Sequence, residues 1–324
     1  MSSTANQMSK SARQKHSKHT PFHLARTILE SKCRHPQHRR TMIAEFDSAC
    51  QRTVPRFLFR GFRSSSGGGK DPRLNTELGV IPHAFLGGKR PTSIFDIPTL
   101  PAMIEAHLSM GDLETEFSSW TASFEVALGF TWDEDSGRIA ILDTTQLAEN
   151  VKVYYSVDLQ HAGLTPFSYN DEYLIYGPVT GPGFHCVPVT SIYDKGFGDI
   201  SDSANPNIYD PVLTADDLAN ARRVAELFQP TTRHQPDIVV FMTAVMLSIR
   251  LWWSRIDQGL RVTPQDAELF TSSVADVLQP LSFSFLAWDI LVNPEMSTSA
   301  RSGLEEMKYL LLAAENQIRK HGSR

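Results

Sequence analysis

Apolar and polar residues follow two different patterns along the chain, and the change falls near residue 196. Before that point, short apolar runs rich in β-branched and aromatic residues predict strands separated by glycine and proline. After it, apolar residues recur at helical spacing and predict helices at 214–228, 236–257, 264–278, 281–291 and 298–320. The sequence therefore predicts an α+β region followed by an all-α helical bundle.

The strand-rich region also contains helical patterns. Five residues at i, i+3, i+4, i+7 and i+8 predict an amphipathic helix: Leu100, Met103, Ile104, His107 and Leu108. Ser123 is a good N-cap for a helix at 124–130. The predicted strands lie at 54–60, 117–121, 138–142, 151–157, 172–179 and 184–192.

These patterns divide the chain into five predicted segments. They are a basic disordered tail at 1–20, a helical segment at 21–52, an α+β domain at 53–195, a linker at 196–213 and a helical bundle domain at 214–322. The bundle has clear helix starts, since Thr214 precedes Asp217 by three residues and Thr263 precedes Pro264.

Charge is distributed unevenly between the tail and the rest of the chain. Residues 1–40 carry nine Lys/Arg and one acid, a net charge of +8. Because the net charge of the whole chain is −5, the remaining residues carry a net charge of −13. We expect a solvated tail that can contact anionic partners such as nucleic acid or a membrane surface, or serve as an import signal. The sequence offers neither a secretory apolar segment nor a membrane span, which predicts an intracellular protein and leaves nucleus, cytoplasm and mitochondrion open.

Common metal and nucleotide motifs are missing from the sequence. Cys33, Cys50 and Cys186 are far apart, which argues against a disulfide framework and a cysteine zinc site. The glycine-rich stretch before Lys70 is not a P-loop, because Asp71 stands where Ser or Thr is needed. We therefore predict no metal cofactor.

Three short segments carry residues with a shared chemical meaning. Arg60 lies in the run Leu-Phe-Arg-Gly, Ser119 and Thr121 lie in Phe-Ser-Ser-Trp-Thr, and Glu172 opens Glu-Tyr-Leu-Ile-Tyr-Gly. An arginine fork suits a diphosphate, and a carboxylate stabilises the positive charge that develops when a glycosidic bond breaks. A hydroxyl on a neighbouring strand can orient that carboxylate.

This ordered set resembles the Arg–Ser–Glu triad of the ADP-ribosyltransferase superfamily, and the pattern is also similar to an uncharacterised domain family of filamentous fungi. The resemblance implies an ADP-ribosyltransferase-like split β-sheet domain that uses NAD as substrate. It implies cleavage of the nicotinamide–ribose bond and transfer of ADP-ribose to an unknown acceptor, such as a protein or nucleic acid, or to water. The enzyme class would be an ADP-ribosyltransferase or an NAD glycohydrolase.

The resemblance also implies roles for individual residues. Arg60, Ser119 and Glu172 would be catalytic, with Arg60 on an NAD phosphate or ribose and Glu172 on the ribose 2′-hydroxyl. The backbone of Gly61 would receive the carboxamide, while Ser119 and Thr121 would maintain the shape of the pocket. The implied NAD-binding residues are Arg60, Gly61, Ser119, Trp120, Thr121 and Glu172.

Two departures from the superfamily pattern leave alternatives open. Asn170 stands where arginine-modifying enzymes carry a second acid, and Trp120 stands inside the serine motif. The first alternative is a catalytically inactive relative that binds protein or nucleic acid. The second places the main role in the helical half as an interaction module. We expect His107, on its apolar helix face, to be a core histidine with satisfied hydrogen bonds and not a catalytic base.

Overall fold

The computed structural model describes eleven stretches of the chain, which include most of the strand-rich region and much of the helical half. The described residues are 54–66, 71–86, 100–109, 114–131, 135–161, 164–169, 171–202, 213–229, 236–253, 262–278 and 298–322. The predicted tail, the predicted N-terminal helical segment, the predicted helix at 281–291 and Asn170 lie outside them.

The described part of the chain is α+β, as the sequence predicts. Its strands are β1 Phe57–Phe62, β2 Asn75–Thr76, β3 Gly79–Val80, β4 Phe117–Thr121, β5 Arg138–Asp143, β6 Lys152–Tyr155, β7 Glu172–Tyr176, β8 Val179–Thr180 and β9 Phe184–Pro188. Its helices are α1 His83–Leu86, α2 Leu100–Leu108, α3 Phe124–Gly129, α4 Ser156–His161, α5 Val189–Asp194, α6 Phe197–Asp202, α7 Ala215–Glu226, α8 Pro236–Trp253, α9 Pro264–Ser273, α10 Ala275–Leu278 and α11 Thr298–Gly322. None of the helices in the described stretches is long and apolar enough to cross a membrane.

The main sheet has six antiparallel strands in the order β6-β7-β4-β1-β5-β9. Strand pairing is shortest in the middle of this sheet. Strand β1 pairs with β5 over six residue pairs and β4 with β7 over five, whereas β1 and β4 share the single pair Phe59–Thr121. The sheet therefore consists of two well-paired halves that meet at one residue pair.

Each face of the main sheet has its own covering layer. On one face, helix α2 packs over β4, β6 and β7, and its residue Ile104 is buried in one cluster with Phe117 and Leu174. The opposite face buries Trp120 and Leu142 in another cluster. That second cluster also contains residues of a small second sheet, ordered β2-β3-β8.

The helical half packs directly on β1 and shares a hydrophobic core with it. Phe241 of α8 stacks on Phe57 with ring centroids 4.6 Å apart and on Phe59 at 5.9 Å. Phe124 of α3 meets Phe228 edge-on at 6.1 Å. Burial of such aromatic side chains is a major contribution to stability. Helix α8 thereby fixes β1 from the side of the helical half.

Local helix signals in the sequence are confirmed at three starts. Ser123 caps α3 by accepting from the backbone N–H of Val126. Thr214 and Thr263 each form a capping box, with Asp217 and Asp266 respectively. These caps use short-range hydrogen bonds, which explains why sequence alone locates them.

Three predicted strands are wrong over their final residues. The strand predicted at 172–179 ends at Tyr176, and Val179 begins the separate strand β8. The strand predicted to reach Ile192 ends at Pro188, and α5 begins at Val189. Its β-branched residues favour a strand, but helical spacing lets Val189 and Ile192 both enter the core. The strand predicted at 151–157 likewise ends at Tyr155, where α4 begins.

Candidate functional site

The three residues of the sequence-predicted triad come together where the two halves of the sheet part. Ser119 links them: its backbone carbonyl accepts from Arg60 Nη1 at 2.5 Å. Hydrogen bonding by its hydroxyl lowers the pKa of Glu172. Strands β4 and β7 set this geometry, because Glu172 lies directly opposite Thr121, two residues from Ser119 on the same face.

Arg60 lies just beyond the last pair between β1 and β4 and bridges the strands with its side chain. Besides the bond to Ser119, its Nε donates to Asn75 Oδ1 at 3.1 Å. None of the described residues forms a hydrogen bond with its third nitrogen, Nη2. Burial lowers the pKa of Arg60 to about 10, and the charge of Glu172 opposes that change. The guanidinium therefore stays positively charged at neutral pH, and its Nη2 can still donate to a ligand.

Glu172 is the first residue of β7 and is half-buried. Burial raises the pKa of its carboxyl above the ordinary value, because the charged form loses hydration. The hydroxyl of Ser119 and the positive charge of Arg60 both lower that pKa in part. A carboxylate with a raised pKa beside a fixed hydroxyl is typical of functional sites.

His107 joins this cluster from the last turn of α2, and sequence reasoning missed it. Its Nε2 lies 2.9 Å from Ser119 Oγ, and its Nδ1 lies 2.8 Å from Thr115 Oγ1. Its ring meets Phe117 edge-on at 6.1 Å. Burial, with help from the charge of Arg60, lowers the pKa of His107 to about 4, so the ring is neutral at neutral pH.

The other predicted NAD-binding residues occupy different positions around the triad. Thr121 accepts the backbone N–H of Ser123 at 3.0 Å and so shapes the turn from β4 into α3. Gly61 lies against α3 so closely that a β-carbon there would come within 1.7 Å of the Ala127 carbonyl oxygen. Both residues support the site's framework, and their contact with NAD stays a prediction.

Trp120 lies on the opposite face of β4 from Ser119. It is buried, its indole N–H donates to Ser118 Oγ at 2.9 Å, and its ring meets Phe184 edge-on. Alternation along the strand explains this position, since neighbouring residues project to opposite faces. Trp120 therefore does not cover the face that carries Ser119 and Glu172, and its contact with NAD stays a prediction.

Asn75 is the second residue that sequence reasoning missed. It belongs to β2, a strand of two residues, and holds the Nε of Arg60. So short a strand leaves no periodic pattern, and only the fold brings it beside β1. The cluster thus combines a cation with a spare donor, a carboxylate and a hydrogen-bonded hydroxyl, a set suited to an anionic substrate with a sugar.

Comparison with known proteins gives one family match. A family model described as "Domain of unknown function (DUF7587)" matches residues 53–182, about two fifths of the chain. That stretch includes Arg60, His107, Ser119 and Glu172 and excludes the helical half. Neither a curated protein nor a solved structure matches the chain.

Proposed function

We propose that this protein is an ADP-ribosyltransferase-like enzyme that binds NAD at the Arg60–Ser119–Glu172 cluster and cleaves its nicotinamide–ribose bond. One observation carries the proposal: three residues far apart in sequence meet at the single-pair junction of the sheet. The resemblance of the three sequence motifs to that superfamily, with its split sheet, supports the same function.

Arg60 would bind the diphosphate or ribose of NAD. Two of its nitrogens are occupied by neutral oxygens, and Nη2 remains to meet an anion. Because the side chain is already held by Asn75 and Ser119, little conformational entropy is lost on binding. Such preorganisation raises affinity without further contacts.

Glu172 would act on the ribose as the bond breaks. The bond between ribose C1′ and the nicotinamide nitrogen breaks with its electron pair, which neutralises the pyridinium and leaves positive charge on the sugar. An ionised Glu172 stabilises that charge, and the hydroxyl of Ser119 holds the carboxylate in place. Water or another nucleophile then bonds to C1′ and releases a proton to solvent.

The test is nicotinamide release from labelled NAD by the full chain and by Glu172→Gln. We expect release by the wild type and a loss of at least about a hundredfold in the variant, since a charge that stabilises the transition state is removed. The variant should stay folded, because burial opposes the ionised form of Glu172. Asp171→Asn is the matched control: it removes the neighbouring half-buried carboxylate and should retain activity.

The outcomes separate the enzyme from its main alternative. Release that survives in Glu172→Gln contradicts the assigned role of Glu172. Absence of release by a folded wild type that binds NAD contradicts the enzyme proposal and favours a catalytically inactive binding module.

A further inference from the structure

A series of hydrogen bonds leads from the interior of the protein to Glu172. Thr115 Oγ1 lies 2.8 Å from His107 Nδ1, and His107 Nε2 lies 2.9 Å from Ser119 Oγ. Glu172 lies on the same face of the sheet as Ser119, opposite Thr121 on the neighbouring strand, and hydrogen bonding by Ser119 lowers its pKa. The series connects the segment before β4, the last turn of α2, β4 itself and the start of β7.

When Glu172 is ionised, the number of available protons determines which group donates in each hydrogen bond of this series. A carboxylate only accepts, so the single proton of the Ser119 hydroxyl points to Glu172. Ser119 Oγ must then accept from Nε2–H of a neutral His107, and the bare Nδ1 accepts from the Thr115 hydroxyl. Each of the three polar side chains is satisfied by this one arrangement.

The surroundings of His107 favour the neutral ring that the arrangement needs. Its neighbour Phe117 contributes apolar surface, and Thr115 is buried with only 5% of its surface exposed. The charged or titratable groups that act on the ring are Arg60 on β1 and His83 on α1, and both oppose a second positive charge. A neutral imidazole has one donor and one acceptor, which matches its two partners.

We propose that His107 is a positioning residue that turns the hydroxyl of Ser119 toward Glu172, with Thr115 satisfying the other ring nitrogen. The inference rests on the proposed function only in so far as Glu172 acts as a carboxylate in catalysis. A histidine that merely fills the core, with both ring nitrogens satisfied, would leave the titration of Glu172 unchanged.

The first test measures the hydrogen-bond series without NAD. Nitrogen-15 spectra of the full chain at neutral pH, with the His107 signal assigned by its absence in His107→Gln, reveal which ring nitrogen carries the proton. We expect the proton on Nε2 in the wild type and loss of this preference in Ser119→Ala, which removes its acceptor. A proton on Nδ1 in the wild type overturns the proposal.

The second measurement follows the Glu172 carboxyl by carbon-13 titration in the wild type, His107→Leu and His107→Gln. Leucine keeps the apolar packing and releases the Ser119 hydroxyl, so the pKa of Glu172 should rise further. Glutamine can donate to Ser119 and accept from Thr115, so it should restore the wild-type titration. Equal titration in all three proteins contradicts positioning by His107.

Enzyme kinetics separate failure of this inference from failure of the proposed function. We expect His107→Leu to lower kcat for nicotinamide release about tenfold, with a smaller change in KM, and His107→Gln to recover most of it. If the wild type releases no nicotinamide, the proposed function fails, while the tautomer and the Glu172 titration still decide whether His107 positions Ser119.

Discussion

Two arginines lie close together along the chain, one just before β1 and one within it, and their partners differ in charge. Arg56, just before the strand, forms ion pairs with Asp143 at 3.1 Å and with Asp237 at the start of α8. Its guanidinium also lies 4.8 Å above the ring of Phe57. This arginine is matched by two carboxylates and ties the sheet to the helical half.

Arg60, within the strand, is held by neutral oxygens instead. Asn75 and the Ser119 carbonyl accept its hydrogen bonds, and Glu172 acts on it as a neighbouring charge. Burying a charge without a contacting counter-charge opposes folding, as the lowered pKa of Arg60 shows. The comparison favours a stabilising role for Arg56 and is consistent with the ligand-binding role that we propose for Arg60.

The largest expected effect follows from Arg56→Ala. It leaves Asp143 and Asp237 without their shared cation, and Asp143 is almost fully buried. We expect the free energy of unfolding to fall by about 3–5 kcal/mol, measured by urea unfolding.

The matched control adds Asp143→Asn and Asp237→Asn to Arg56→Ala. With no carboxylate left uncompensated, much of the lost stability should return. If the free energy of unfolding of Arg56→Ala alone falls by less than about 1 kcal/mol, Arg56 forms only an ordinary surface ion pair. The stabilising role assigned to Arg56 would then be wrong.

The next effect concerns the pH dependence of stability near Arg60. His107 has a folded-state pKa of about 4, below the ordinary 6.5, so the unfolded chain binds its proton first. Its contribution is therefore complete above about pH 6.5 and is lost as pH falls toward 4, by up to about 3 kcal/mol. Unfolding measured across this range should show that loss in the wild type and a flatter profile in His107→Gln. Parallel profiles would contradict a buried neutral His107.

Gly61→Ala tests the packing of β1 at the residue after Arg60. The added β-carbon would overlap the Ala127 carbonyl oxygen, so we expect a loss of about 1–3 kcal/mol in thermal unfolding. Gly129→Ala is the control, because a β-carbon there meets no described atom within 4 Å. Equal stability of the two variants would contradict the close packing of β1 on α3.

The smallest expected effect on stability is that of Arg60→Gln. Removing the charge relieves its burial, while losing hydrogen bonds to Asn75 and Ser119 acts in the opposite direction. We expect the free energy of unfolding to change by no more than about 1 kcal/mol. A loss as large as that of Arg56→Ala would mean that both arginines are structural.

Sequence patterns predicted the elements that position the triad because their signals are local. The runs around Phe57, Phe117 and Glu172 are rich in residues that favour strands, and Ser123 caps the helix after β4. The family resemblance of the three motifs then grouped Arg60, Ser119 and Glu172 before their contacts were known.

Long-range contacts explain what the sequence did not predict. His107 is eight residues from Thr115 and twelve from Ser119, and its apolar helix face gave no sign of either hydrogen bond. Asn75 reaches Arg60 only through the small second sheet. The single-pair junction between β1 and β4 is likewise a property of the assembled sheet, since each strand by itself has an ordinary strand pattern.

Calorimetric titration with NAD tests the central claim most directly, using the wild type, Arg60→Gln and Arg73→Gln. Arg73 is an exposed arginine that pairs with Asp71 outside the cluster, so it is the matched control. We expect binding by the wild type and by Arg73→Gln, and an affinity about 10–100-fold lower for Arg60→Gln because a charge-assisted hydrogen bond is lost. A wild type that does not bind NAD, or an Arg60→Gln variant that binds it as tightly, would contradict the account.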